Sequence, residues 1–144
     1  MKRVVHWFRR DLRVADNTAL AEAARQGEAV YPLFILDRDI LAAADMGAAR
    51  IAFLLDSLRD LGANLEQLGY RLTVRHGNAL DELERFCGET QAEAVFCNRD
   101  YEPHCLQRDQ SAFRRLNELG IGFQTFKDSV VWEEQEILTR AGAP

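Results

Sequence analysis

Three clusters in this 144-residue chain combine fixed charge with hydrogen-bonding capacity. Arg9, Arg10, Asp11 and Arg13 follow the apolar run Val4–Phe8. Asp37, Arg38 and Asp39 follow Ala29–Leu36, and Asn98, Arg99, Asp100, Tyr101 and Glu102 follow Ala94–Cys97. Guanidinium and carboxylate groups in such clusters can hold a polar ligand, or can pair with one another and fix loops. On spacing alone, loop fixing is the weightier role.

Other chemistries find less support. No Ser/His/Asp or Cys/His arrangement stands ready for nucleophilic catalysis, so no catalytic residue is assigned. His6, inside an apolar run, reads as a satisfied core histidine, and Trp7 and Trp132 read as packing residues. The three histidines and the three cysteines (Cys87, Cys97, Cys105) lack metal-ligand spacing. The thiols read as reduced and mostly buried. The turn after the first apolar run has no G-x-G-x-x-G, and G-x-x-x-x-G-K-[ST] is absent from the chain. Bulky arginines stand where a dinucleotide site needs glycine.

These clusters need elements to present them. Val4–Phe8 predicts a first strand, followed by a helix over Asn17–Gln26, capped by Asp16 or Asn17 and ended by Gly27. Ala29–Leu36 predicts a second strand, although Pro32 cannot donate to a ladder. A long helix from Gly47 or Ala48 to Leu68 carries Ile51, Leu54, Leu55, Leu58, Leu61, Leu65 and Leu68 at helical spacing. Strand Arg71–Arg75, helix Ala79–Cys87, strand Ala94–Cys97, helix His104–Leu119 and strand Ile121–Phe126 complete the alternation. Pro103 suits the first turn of the last helix. Val130–Leu138 can be read either way, and Thr139–Pro144 reads as a linker.

Strands that alternate with helices pair in parallel, because each crossover helix packs back right-handedly. The expected fold is therefore α/β: a doubly wound, five-stranded parallel sheet flanked by helices, a Rossmann-like three-layer sandwich. In such a sheet ligands sit beyond the carboxyl ends of the strands, where all three clusters fall. They are expected to converge on one hollow.

The balance of 47% hydrophobic and 28% charged residues is that of a soluble globular domain. No apolar run approaches the roughly 18–20 residues of a membrane helix, and Val4–Phe8 is too short for a signal-peptide core. The cytoplasm is the expected compartment. A net charge of −5 makes this segment by itself a poor match for a phosphate backbone.

The stretch Trp7-Phe8-Arg9-Arg10-Asp11-Leu12-Arg13, continuing to Asp16-Asn17, resembles the opening signature of the photolyase/cryptochrome family. Pro32–Asp37, Asn98–Pro103 with Arg108-Asp109, and Phe126–Glu133 resemble further family segments in the same order. The resemblance implies an N-terminal domain (1–138) that holds a light-harvesting antenna chromophore. Residues 139–144 then begin a linker to an absent C-terminal helical domain, which carries FAD and contacts damaged DNA. The implied activity is deoxyribodipyrimidine photo-lyase, a carbon–carbon lyase splitting cyclobutane pyrimidine dimers with light, with this segment inactive alone. A cryptochrome-like photoreceptor and a free-standing α/β nucleotide-binding module are the alternatives.

By the same resemblance Leu36, Asp37, Ile40, Arg50, Asp100 and Glu102 become pocket residues, with Arg9 beside them. Folate-binding relatives carry Asn-Glu where this chain has His104 and Cys105. A deazaflavin or FMN antenna is therefore expected ahead of methenyltetrahydrofolate.

Overall fold

A computed structural model of the chain describes residues 2–37 and 47–127. In chain order the described elements are β1 (Arg3–Phe8), α1 (Thr18–Gln26), β2 (Ala29–Asp37), α2 (Ala48–Gln67), β3 (Thr73–Gly77), α3 (Ala79–Thr90), β4 (Ala94–Asn98), α4 (Pro103–Glu118) and β5 (Gly122–Phe126). The strands form one sheet in the order β3-β2-β1-β4-β5, with every neighbouring pair parallel. The doubly wound three-layer sandwich expected from the alternation is the observed fold.

Period-two alternation sends the strand side chains to opposite faces. Val5, Trp7, Leu33, Ile35, Val95 and Cys97 pack with Ala79, Leu83 and Phe86 of α3 and with Ala112 and Leu116 of α4. On the other face Phe8 and Phe34 meet Leu20 of α1 and Leu58, Leu61 and Leu65 of α2. Val4 and Phe96 close the same face against Ala19 and Ala23 of α1. Central strand β1 is thus covered on both sides, and Val4 to Phe8 are all buried.

Several boundaries differ from the expectation for local reasons. Gly88 does not end α3; the helix continues to Thr90, whose hydroxyl donates to the Phe86 carbonyl (2.9 Å), and Gln91 caps it in the left-handed region. Strand β3 starts at Thr73, which pairs with Leu33, rather than at Arg71. It ends at Gly77, whose φ of 148° and close approach to Glu82 leave little room for a β-carbon. Pro32 sits where β2 is paired with β1 but not yet with β3, so one side of the strand has no ladder partner there to lose.

Helix α2 buries only the middle of its apolar stripe. Leu58, Leu61 and Leu65 are buried, whereas Leu55 and Leu68 are exposed and Phe53 is 74% exposed. Its 20 residues span about 30 Å, whereas β3 offers five, about 17 Å. The ends overhang the sheet.

Leu65→Ala should therefore cost about 2–5 kcal/mol in urea unfolding, because the site lies under both sheet and helices. Phe53→Ala should change stability by less than about 0.5 kcal/mol. Equal effects at the two positions would contradict this division of α2.

Candidate functional site

The strand order reverses at β1, and the residues leaving β1 and β4 meet there. Phe8 ends β1 and delivers Arg9 inward. The Arg9 guanidinium donates through Nη1 to Asp109 of α4 and through Nη2 to the Asn98 carbonyl. It lies over the Trp7 ring, 5.1 Å from its centroid. Its side chain is almost wholly buried.

A second set of bonds surrounds Asp11. Its carboxylate accepts from the Arg9 amide (3.0 Å) and from Asn98 Nδ2 (2.6 Å). Asn98 also donates to Asn17 Oδ1 (2.7 Å) and accepts from the Ala19 amide (2.9 Å). Asn17 in turn caps α1 by accepting from the Leu20 amide (3.0 Å). The first turn of α1 is thereby tied to the end of β4. Burial pushes the Asp11 carboxyl above its ordinary range, against the pull of the Arg9 amide and Asn98.

Beneath this lock lies His6, fully buried, with its ring edge-on to Phe8 at 4.2 Å. The expected satisfied histidine is not what the fold provides: neither ring nitrogen has a hydrogen-bond partner, and Nε2 stays 4.0 Å from Asp11. Burial, assisted by the charge of Arg9, pulls its pKa from 6.5 down to about 3, so the ring is neutral at neutral pH. Trp7 is more than packing, since Arg108 of α4 also stacks on it at 5.2 Å. The cysteines are buried and free, and burial pushes Cys87 and Cys97 up to about 12, far from a reactive thiolate.

Farther out, Arg10 pairs with Asp100 (3.8 Å) and with Glu102. Burial works against ionisation of Asp100, yet the Glu102 amide, the Cys105 thiol and Arg10 together hold its carboxyl below the usual range. These residues border a hollow of about 280 Å³ lined by Arg9, Arg10, Asp11, Arg13, Asn98, Arg99, Asp100 and Tyr101. A second hollow, of about 430 Å³, opens between the start of α3 and the flank of α4. Asp37, Asn78, Ala79, Leu80, Gln107, Arg108, Ser111 and Arg114 line it.

The expected residues thus divide. Arg9 and Asp100 belong to the first hollow, with Glu102 joined to it through Arg10. Asp37 belongs to the second, but Leu36, one residue earlier on β2, faces the other way and packs with Phe34, Leu58 and Leu61, so it lines neither. Arg50, in the first turn of α2, is exposed and lines neither. Ile40 lies outside the described residues. Asn78 and the α4 face of Gln107, Arg108, Ser111 and Arg114 were not foreseen. Their signal was the phase of α4: Cys105, Asp109, Ala112 and Leu116 form the buried stripe, which turns the neighbouring row toward α3.

A family model described as DNA photolyase matches residues 4–144. The chain is 36% identical over 141 residues to a deoxyribodipyrimidine photo-lyase of Synechococcus sp., covering 98% of this chain and 29% of that protein. It is 35% identical over 144 residues to Cryptochrome-2 of Arabidopsis thaliana, covering 99% of this chain and 23% of that one. Among solved structures, a class III photolyase from Agrobacterium tumefaciens superposes with a TM-score of 0.79 at 34% identity, over 88% of this chain and 26% of that chain. An archaeal photolyase from Sulfolobus tokodaii, described with two FAD molecules, gives a TM-score of 0.82 at 28% identity, over 99% of this chain and 35% of that one.

Two measurements probe the lock. Asn98→Ala strips the Ala19 amide and the Asp11 carboxylate of a partner and should cost about 2–4 kcal/mol in urea unfolding. A cost below about 1 kcal/mol would mean that water replaces the amide. His6 gives the fold an acid sensitivity: the unfolded chain takes up this proton below pH 6.5, the folded chain only near pH 3. Stability should fall across that window with a slope approaching roughly 1.4 kcal/mol per pH unit. Asp11 works the other way, since its raised pKa favours protonation of the folded state at acid pH. His6→Leu should flatten the urea-derived stability curve between pH 6.5 and 3, and an unchanged slope would assign the acid sensitivity elsewhere.

Proposed function

The chain belongs to the DNA photolyase family, and we propose that it is the domain of a light-dependent DNA repair enzyme that holds an antenna chromophore. It spans about 29% of the length of the photolyases it matches. In this reading the light-driven chemistry, the catalytic FAD and the damaged DNA belong to a helical domain elsewhere in such an enzyme. The reaction served is the splitting of cyclobutane pyrimidine dimers. The net charge of −5 accords with a segment that does not itself grip DNA.

The observation that carries the reading is the hollow beside Asp37, at the carboxyl ends of the strands. Its volume of about 430 Å³ falls within the roughly 300–1,000 Å³ of small-molecule sites. Its lining is mostly polar, with apolar Ala79 and Leu80 beside Asp37, Asn78, Gln107, Arg108, Ser111 and Arg114, groups that can fix a ligand's orientation by hydrogen bonds and charge. The smaller hollow over β1 and β4, about 280 Å³, falls below that range, and its Arg9, Asp11 and Asn98 are already engaged in the lock. Asp37 is therefore the leading binding residue of the original set, whereas Leu36 points to the other face of the sheet and packs against the cluster of Phe8, Phe34, Leu58 and Leu61. Arg9, Arg10, Asp100 and Glu102 position the loops beside Asp37.

A flavin-type antenna, a deazaflavin or FMN, is preferred to methenyltetrahydrofolate, because His104 and Cys105 stand where folate-binding relatives carry Asn-Glu. The flavin held by the Sulfolobus tokodaii neighbour supports the choice. The bound chromophore supplies light absorption and energy transfer through space. The protein's own residues need only bind it, fix its orientation and exclude water. No side chain has to move a proton.

A second reading keeps the binding role and changes the output: a cryptochrome-like photoreceptor. The similar identities to a photolyase and to a plant cryptochrome favour it.

Flavin fluorescence titration tests the binding role. The chain should bind FMN or a deazaflavin ahead of methenyltetrahydrofolate, and Asp37→Ala should weaken flavin binding about tenfold. The chain alone should split no pyrimidine dimers in illuminated DNA. Folate preference, or dimer splitting by this chain, would overturn the assignment.

A further inference from the structure

Helix α4 carries a second stripe that the sheet leaves uncovered. Cys105, Asp109, Ala112 and Leu116 are buried, whereas Leu106, Gln110, Phe113 and Arg114 follow one another at helical spacing along the flank toward β5. Leu106 is 40% exposed and Phe113 51% exposed. With Phe123 and Thr125 of β5, the last strand of the described sheet, they line a groove of about 570 Å³. An apolar, aromatic groove of this kind on a surface marks a place where something packs.

The groove also has a sign. Arg99, just past the end of β4, and Arg114, farther along α4, both line it. Arg114 is exposed and has no acidic partner among the described residues, whereas its neighbour Arg115 is engaged by Asp81 and Glu84. Asp109, the acid in the lining, is already held by Arg9. The fitting occupant therefore offers apolar side chains and carboxylates together.

The chain supplies both just past Lys127, the last described residue. Val130, Val131 and Trp132 come first, followed by Glu133, Glu134 and Glu136. The groove runs in the same order from the exit of β5: Thr125 and Leu106, then Phe123 and Phe113, with Arg114 beyond. Along α4, Leu106 and Arg114 are separated by about 12 Å, which about four residues of chain can span. Val130 to Glu134 is such a span.

We infer that the groove between α4 and β5 is the docking site of the chain's own residues 130–136, the apolar ones covering Leu106, Phe113 and Phe123 and the carboxylates meeting Arg114. The apolar contacts carry the strength, and the exposed ion pairs contribute register more than energy. Chromophore binding, on the other flank of α4, is a separate matter.

Acrylamide quenching of tryptophan emission tests the docking. Trp7 is 2% exposed, so quenching reports Trp132. In the intact chain Trp132 should be quenched several-fold less than in a peptide of residues 128–138, equally in dilute and concentrated solution. Phe113→Ser and Arg114→Glu should each bring quenching toward that of the peptide. Changing Glu133, Glu134 and Glu136 together to Lys should restore the shielding to Arg114→Glu. Thermal unfolding reports whether Phe113→Ser keeps its fold; if it does not, Arg114→Glu and its charge reversal decide. Peptide-like quenching in the intact chain, or shielding untouched by these changes, would overturn the docking. Shielding lost on dilution would give the groove to a second copy and overturn it as well.

Discussion

The burial of Arg9 is the constraint around which the carboxyl edge of the sheet is arranged. A guanidinium at the centre of a parallel sheet is tolerable only when its donors find acceptors and its charge a partner. Asp109 comes from α4, the Asn98 carbonyl from the end of β4 and the Trp7 ring from β1 itself. Trp7 is a near neighbour in sequence, but Asp109 and the Asn98 carbonyl reach Arg9 only once β1, β4 and α4 are in register. The arginine thus reports, and enforces, correct assembly of the point where the strand order reverses. Such a pair adds less to net stability than to uniqueness of arrangement, because removing one partner strands the other.

The same accounting separates scaffold from binding surface. Around β1 and β4 the charges are turned inward: Arg9 to Asp109, Asp11 to Asn98, Arg10 to Asp100 and Glu102. The Asp11–Asn98–Asn17 chain fixes where α1 begins relative to the sheet, and buried His6 below it adds a group that resists charging. Between α3 and α4 the balance differs. Among the described residues Arg108 has covered donors without partners, and the adjoining wall carries a further cation, Arg114.

That division suits a domain whose task is to hold rather than to transform. Orientation of a chromophore depends on walls that do not move, and the locked strand ends supply them.

The chain order of the elements was legible in the sequence because it rests on local periodicity. The two-residue alternation of β1, the stripe Leu58-Leu61-Leu65 and the Asn17 cap are properties of short segments. The strand-end clusters followed from the same elements, and so did the opening signature by which the family was recognised. What the tertiary structure alone decided was the partner of each charge. Arg9 and Asp109 lie 100 residues apart, and no local rule joins them. Nor could spacing show that Asp37 faces α4 and Arg108 while Asp100 faces Arg10. Side-chain types and helical phase are written along the chain, whereas the distance between two charges exists only once the sheet has brought its strands together.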